Sequence, residues 1–171
     1  MRQPESSDGL DPVDVDRIED LLRRGTMDVR GRLTDASNTT LLCGITLDGV
    51  EDQCVYKPVR GERPLWDFPD GTLAGREISA YLVSEAIGWS VVPPTVLRDG
   101  PFGPGMVQLW MDADPAVDLQ QFVRRDLPQL RRMAVFDAVV NNADRKGGHI
   151  IPMPDGHVYG CLLYTSPSPR D

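Results

Sequence analysis

MAVFDAVVNNADRKGGHII, residues 133–151, decides how this chain is read. An apolar helical run (Met133, Ala134, Phe136, Val139, Val140) gives way to a loop of Asn, Asp, Arg, Lys, Gly and His, and a new apolar pair, Ile150 and Ile151, follows. Helix, polar loop, strand is an arrangement that holds an acid, here Asp144, at a rigid position while leaving it in solvent. The same letters also suit a helix C-terminus closed by Asn and Gly. The sequence upstream separates the two readings.

With 171 residues, the chain has the length of one domain, or of two small lobes sharing a cleft. Its composition, 40% hydrophobic and 26% charged, is that of a globular protein. No apolar run approaches the roughly 18 residues of a membrane span, and the acidic N-terminus has no signal-peptide pattern. Cys43, Cys54 and Cys161 are scattered, with no CxxC, which suits a reducing, cytoplasmic compartment. A net charge of −8 argues against a nucleic-acid surface and for a small molecule or a protein as partner. Of the 18 basic residues only Lys57 and Lys146 are Lys. A Lys kept in so Arg-biased a sequence points to positions that need a compact point charge rather than a planar fork.

Residues 1–10 read as a disordered N-terminus. Asp11-Pro12 opens a short amphipathic helix (Val15, Ile18, Leu21, Leu22) that Gly25 stops. Strands are expected at 27–33, 39–47 and 53–58, with Asp48-Gly49 a hairpin turn and Lys57 near the end of the third. Lys57 reads either as a snorkelling edge residue or as a phosphate-binding cation. Residues 72–87 form a helix with Leu73, Ile78, Tyr81, Leu82 and Ala86 on one face, Glu77 at its flank, and Gly88 as its stop. Further strands are expected at 91–97 and 106–111, the last apolar enough to be central. The composition shifts near 112–117, a lobe boundary. Helices at 119–123 and 127–140 and a hairpin at 150–160 complete the pattern.

An antiparallel sheet with a Lys on its third strand, a helix carrying a Glu 20 residues later, and a helical second lobe with an Asp loop: this order resembles the two-lobe protein kinase-like fold, of α+β class. The loop NNADRKGGHI looks like the DR-containing catalytic loop of the phosphatidylinositol 3-/4-kinase-like branch. Within that branch the chain is similar to a mainly actinobacterial family across roughly residues 15–160, through VYKP, LAGREISAYLVSEAIG, GPGMVQLW and NNADRKGGH. The resemblance implies an N-lobe with its leading helix (11–111) that binds ATP, and a partial C-lobe (112–160) with the catalytic loop. It implies that Lys57 holds the α/β-phosphates and that Glu77 fixes Lys57. Gln108, Leu109, Trp110 and Met111 would form the adenine hinge through backbone groups, with Ser37 and Thr39 at the phosphate turn. Asp144 would orient or deprotonate an acceptor hydroxyl, on a protein or small molecule, and Arg145 would support the loop. The family's Mg²⁺ (or Mn²⁺) ligand, an Asn, aligns with His149, a departure because Mg²⁺ favours oxygen ligands. The implied activity is an ATP-dependent phosphotransferase. Transfer of AMP and a nucleotide-binding pseudokinase stand as alternatives.

The second metal-binding Asp of such a fold should follow Gly160, where the chain reads CLLYTSPSPRD. Written as codons, residues 161–171 resemble a transposase adapter of short-read sequencing, and the expectation is a non-native tail on a truncated, catalytically inactive fragment.

Overall fold

A computed structural model describes residues 12–33, 39–62, 72–143 and 145–161. The chain opens with α1 (Pro12–Arg24), with Pro at its start, Asp14 in the first turn, and Arg23 and Arg24 in the last. Arg23 bonds Glu19 at 2.9 Å and Arg24 bonds Asp20 at 2.7 Å, each one helical turn apart. Gly25 follows the helix, its N–H donating to Leu21 O at 2.8 Å, at a place where a Cβ would stand 2.6 Å from the Ile45 side chain. Arg98 then caps the open carbonyls, donating to Leu22 O at 3.0 Å and Gly25 O at 2.7 Å.

A five-stranded antiparallel sheet follows: β1 (Thr26–Arg32), β2 (Leu41–Leu47), β3 (Val50–Pro58), β4 (Thr95–Gly100) and β5 (Gly103–Leu109), in the order β1-β2-β3-β5-β4. Asp48 and Gly49, at φ 50 and 82, make the two-residue turn between β2 and β3, as their types demand. α1 lies on one face of the sheet, burying Leu21 and Leu22 with Cys43, Ile45, Cys54, Tyr56, Val96 and Val107. The fifth strand is interior, as its apolar run predicts, but its bounds and those of β4 move. β4 begins at Thr95 rather than 91 because Pro93 and Pro94 have no N–H for a ladder. Val91 and Val92 donate instead to the Ser84 hydroxyl, at 2.6 and 3.1 Å.

α2 (Leu73–Ala86) covers the opposite face and differs from the expected stripe. Its buried residues are Ala74, Glu77, Ala80, Tyr81 and Ser84, while Leu82 is 58% exposed. Small side chains let the helix backbone approach the sheet, and that turns Glu77 inward rather than to a flank. The N-terminus of α2 is capped from a distance: Glu62 accepts from Leu73 N at 3.2 Å and Ala74 N at 2.9 Å.

Beyond β5 come α3 (Leu119–Phe122), α4 (Pro128–Val139), and a hairpin of β6 (Ile150–Pro152) with β7 (Val158–Gly160). Met133 and Phe136 of α4 pack with Ala80, Tyr81, Val91, Val92 and Val158, so this region shares a core with α2. The fold is therefore α+β, an antiparallel sheet with a few helices. Among the described residues, no helix is long and apolar enough to cross a membrane.

Candidate functional site

Side chains two apart on a strand share a face, and directly opposed residues of antiparallel strands do too. Val55 and Lys57 therefore share the sheet face that α2 covers, with Gln108, which pairs with Val55, and Thr95, which pairs with Gln108. On this face Val55 meets Ile151, Tyr159 and Cys161, with Leu33, Trp110, Met111 and Met153 packed around them. One apolar cluster thus joins the sheet, the end of β5 and the C-terminal hairpin.

The same sheet face carries an ion pair. The Lys57 ammonium stands 3.3 and 3.2 Å from the two Glu77 carboxylate oxygens, with side chains 8% and 6% exposed. Burial pushes the Glu77 carboxyl above its ordinary range, and the neighbouring ammonium only partly offsets that rise. The sequence places Lys57 and Glu77 correctly as partners, and neither is a solvated surface charge.

The four residues expected as a hinge differ in what their backbones offer. Leu109 donates its N–H to Pro94 O at 2.9 Å, and Trp110 donates to Gln53 O at 2.9 Å. The carbonyl of Leu109 faces Pro94 across the ladder, whose ring nitrogen has no hydrogen to return. Met111, the next residue beyond, makes no backbone hydrogen bond among the described residues. An acceptor at Leu109 and a donor at Met111 are left open beside the apolar cluster. The Trp110 indole N–H donates to Asp112 at 2.7 Å.

The loop after α4 is built around Asp137, which sequence reasoning missed. Its carboxylate takes Arg145 Nε at 2.9 Å and Nη2 at 2.6 Å, and Asn142 Nδ2 at 2.9 Å. Arg145 also donates to the carbonyls of His149 and Cys161. One guanidinium thereby ties α4, the loop and the end of β7 together. Gly160 lies under it, where a Cβ would come within 3.1 Å of Arg145. These are the bonds of the residue that the resemblance assigns to supporting the loop. Asp144 lies outside the described residues, as does Ser37 of the phosphate turn, while Thr39 is half-buried just ahead of β2.

Protein Rv2133c of Mycobacterium tuberculosis is similar to this chain. The two are 49% identical over 175 residues, which take in 82% of this chain and 63% of the relative. The chain therefore spans less than two thirds of that protein's length. No family model matches the chain.

His149, expected as a metal ligand, is 4% exposed and accepts the Lys146 N–H on Nδ1 at 3.4 Å. A ligating imidazole does the reverse, donating its second ring nitrogen to a carbonyl or carboxylate. Among the described residues no group of three or more His, Cys, Asp or Glu side chains gathers to hold a metal. The described donors do not fit Mg²⁺ or Mn²⁺, which want several oxygens.

Proposed function

We propose that the chain is the nucleotide-binding part of an ATP-dependent phosphotransferase with the two-lobe, kinase-like architecture of the lipid-kinase-like superfamily. The observation that carries this reading is the buried Lys57–Glu77 pair on the sheet face that bears the apolar cluster. Burying two charges costs several kcal/mol of desolvation, which their mutual attraction only partly offsets, and a functional role for the pair accounts for its being kept there. A triphosphate accounts for the pair, since Lys57 can neutralise phosphate oxygens while Glu77 keeps its side chain extended along the site. The open Leu109 carbonyl and Met111 N–H match the edge of adenine, whose amino group donates and whose neighbouring ring nitrogen accepts. Val55, Ile151 and Met153 supply apolar faces for the base.

In this reading Asp144 orients or deprotonates the acceptor hydroxyl, and Arg145, braced by Asp137, holds the loop that bears it. The acceptor is a hydroxyl of a protein or small molecule. Titration with ATP tests the binding step: Lys57→Ala should weaken affinity at least tenfold. Mass spectrometry of acceptors incubated with ATP separates phosphoryl from AMP transfer by the added mass. Unchanged affinity in Lys57→Ala would remove the reading. A second reading, nucleotide binding without transfer, is favoured by the His149 arrangement. It predicts bound ATP and no modified acceptor with any divalent cation.

A further inference from the structure

Gln108 is 2% exposed on the face that carries Lys57 and Val55, and only half of its amide is accounted for. Its Nε2 donates to Thr95 Oγ1 at 2.8 Å. Thr95 in turn lies 2.6 Å from the carbonyl of Pro93. A carbonyl can only accept, so the one hydroxyl hydrogen of Thr95 is committed to Pro93. Thr95 Oγ1 is left with lone pairs, and the group of Gln108 turned toward it must be the NH₂. The orientation of the amide, usually a matter of choice between oxygen and nitrogen, is thus settled by a chain of hydrogen bonds. The remaining atom, Gln108 Oε1, meets no protein donor among the described residues. It is one residue from the Leu109 carbonyl, itself left open by Pro94.

We infer that Gln108 Oε1 is a specificity-determining acceptor for the exocyclic amino group of the bound nucleobase. The inference rests on the nucleotide reading above and adds a side-chain contact to it. An aromatic amino group carries two hydrogens that diverge in the ring plane. The Leu109 carbonyl takes one and Gln108 Oε1 takes the other. Both acceptors would face a lone pair if the group were a carbonyl, as in guanine or hypoxanthine, so bases with oxygen at that position are rejected. A base with hydrogen there leaves both unpaired.

The test uses ATP and purine riboside triphosphate, which lacks only the amino group, titrated against the chain and two variants. Gln108→Leu removes the acceptor at similar volume. Thr95→Val leaves Gln108 in place but removes the partner that orients it, and thermal melts check that both variants fold. The wild-type chain should prefer ATP, and each variant should lose about tenfold of that preference, the share of one neutral hydrogen bond in a desolvated site. A preference unchanged in both variants while ATP still binds overturns the role of Gln108 and leaves the nucleotide reading intact. Failure of the wild-type chain to bind either triphosphate overturns both.

Discussion

Removing Glu77 should be far more harmful than removing Glu77 and Lys57 together. In Glu77→Ala the Lys57 ammonium keeps its place, 7% exposed, and loses the two oxygens at 3.3 and 3.2 Å. An unpaired buried charge of this kind costs about 3–5 kcal/mol. Against a total stability of about 5–15 kcal/mol this is a large fraction. With a urea slope of about 2 kcal/mol/M, the unfolding midpoint should fall by roughly 2 M. Lys57→Met with Glu77→Leu replaces the pair by apolar side chains of similar volume, and should unfold within about 2 kcal/mol of the wild-type chain. The assay is equilibrium urea unfolding of the wild type, both single variants and the double. A cycle of Lys57→Met, Glu77→Leu and the double should return a coupling energy of about 4 kcal/mol or more, because each single change leaves one buried charge unpaired. Single variants that each cost less than about 1 kcal/mol, with additive effects, would mean the pair behaves as an exposed salt bridge, and the argument from buried charge would fall.

Further outcomes follow from the same geometry. Burial raises the Glu77 carboxyl above 4.5, and burial likewise raises Glu85, with Ser90 opposing. Between the unfolded value and the raised folded value the native state holds more protons, so stability from these groups is present below pH 4.5 and lost as pH rises through the folded value. Lys57→Met removes the charge that pulls Glu77 back down, so its decline should reach to higher pH than in the wild type. Urea midpoints across pH 4–8 that move no further in the variant would contradict the sign. Asp137→Ala strands Arg145 and should cost about 3 kcal/mol, whereas Asn142→Ala should cost about 1 kcal/mol. Hydrogen exchange should then quicken across residues 141–149 in the first variant alone. Gly105→Ala puts a Cβ 2.5 Å from the Lys57 carbonyl oxygen, against backbone that cannot give way. It should cost about 3 kcal/mol. Gly75→Ala meets nothing within 4 Å on an exposed helix position, and should stabilise by up to about 1 kcal/mol. Thermal melts of the two would compare them directly.

Elements with local punctuation were legible in the sequence. Pro12, the two arginines and Gly25 bracket α1, and Asp48-Gly49 announces the hairpin, because these residues act through their own backbone. The phase of α2 was not legible. Periodicity weighs Leu82 above Glu77, yet the helix buries Glu77 with small residues, since a cation from β3 meets it there. Propensity cannot see a partner 20 residues away. Asp137 was overlooked for a related reason: one acid inside an apolar helical run reads as a surface position until Arg145 folds back on it. Glu62 caps α2 across a connection that no capping pattern spans. At residues 108–111, which backbone groups stay open depends on Pro94, in a different strand's lead-in. The Gln108 side chain gains meaning only through Thr95 and Pro93.

The most direct test is calorimetric titration of ATP into the wild-type chain and into the Lys57→Met/Glu77→Leu double variant, which removes the proposed phosphate-binding charge and is expected to keep the fold. The predicted result is saturable binding by the wild-type chain and at least a tenfold loss in the double variant. Equal affinities, or no binding by the folded wild-type chain, would contradict the claim that this sheet face is a nucleotide site.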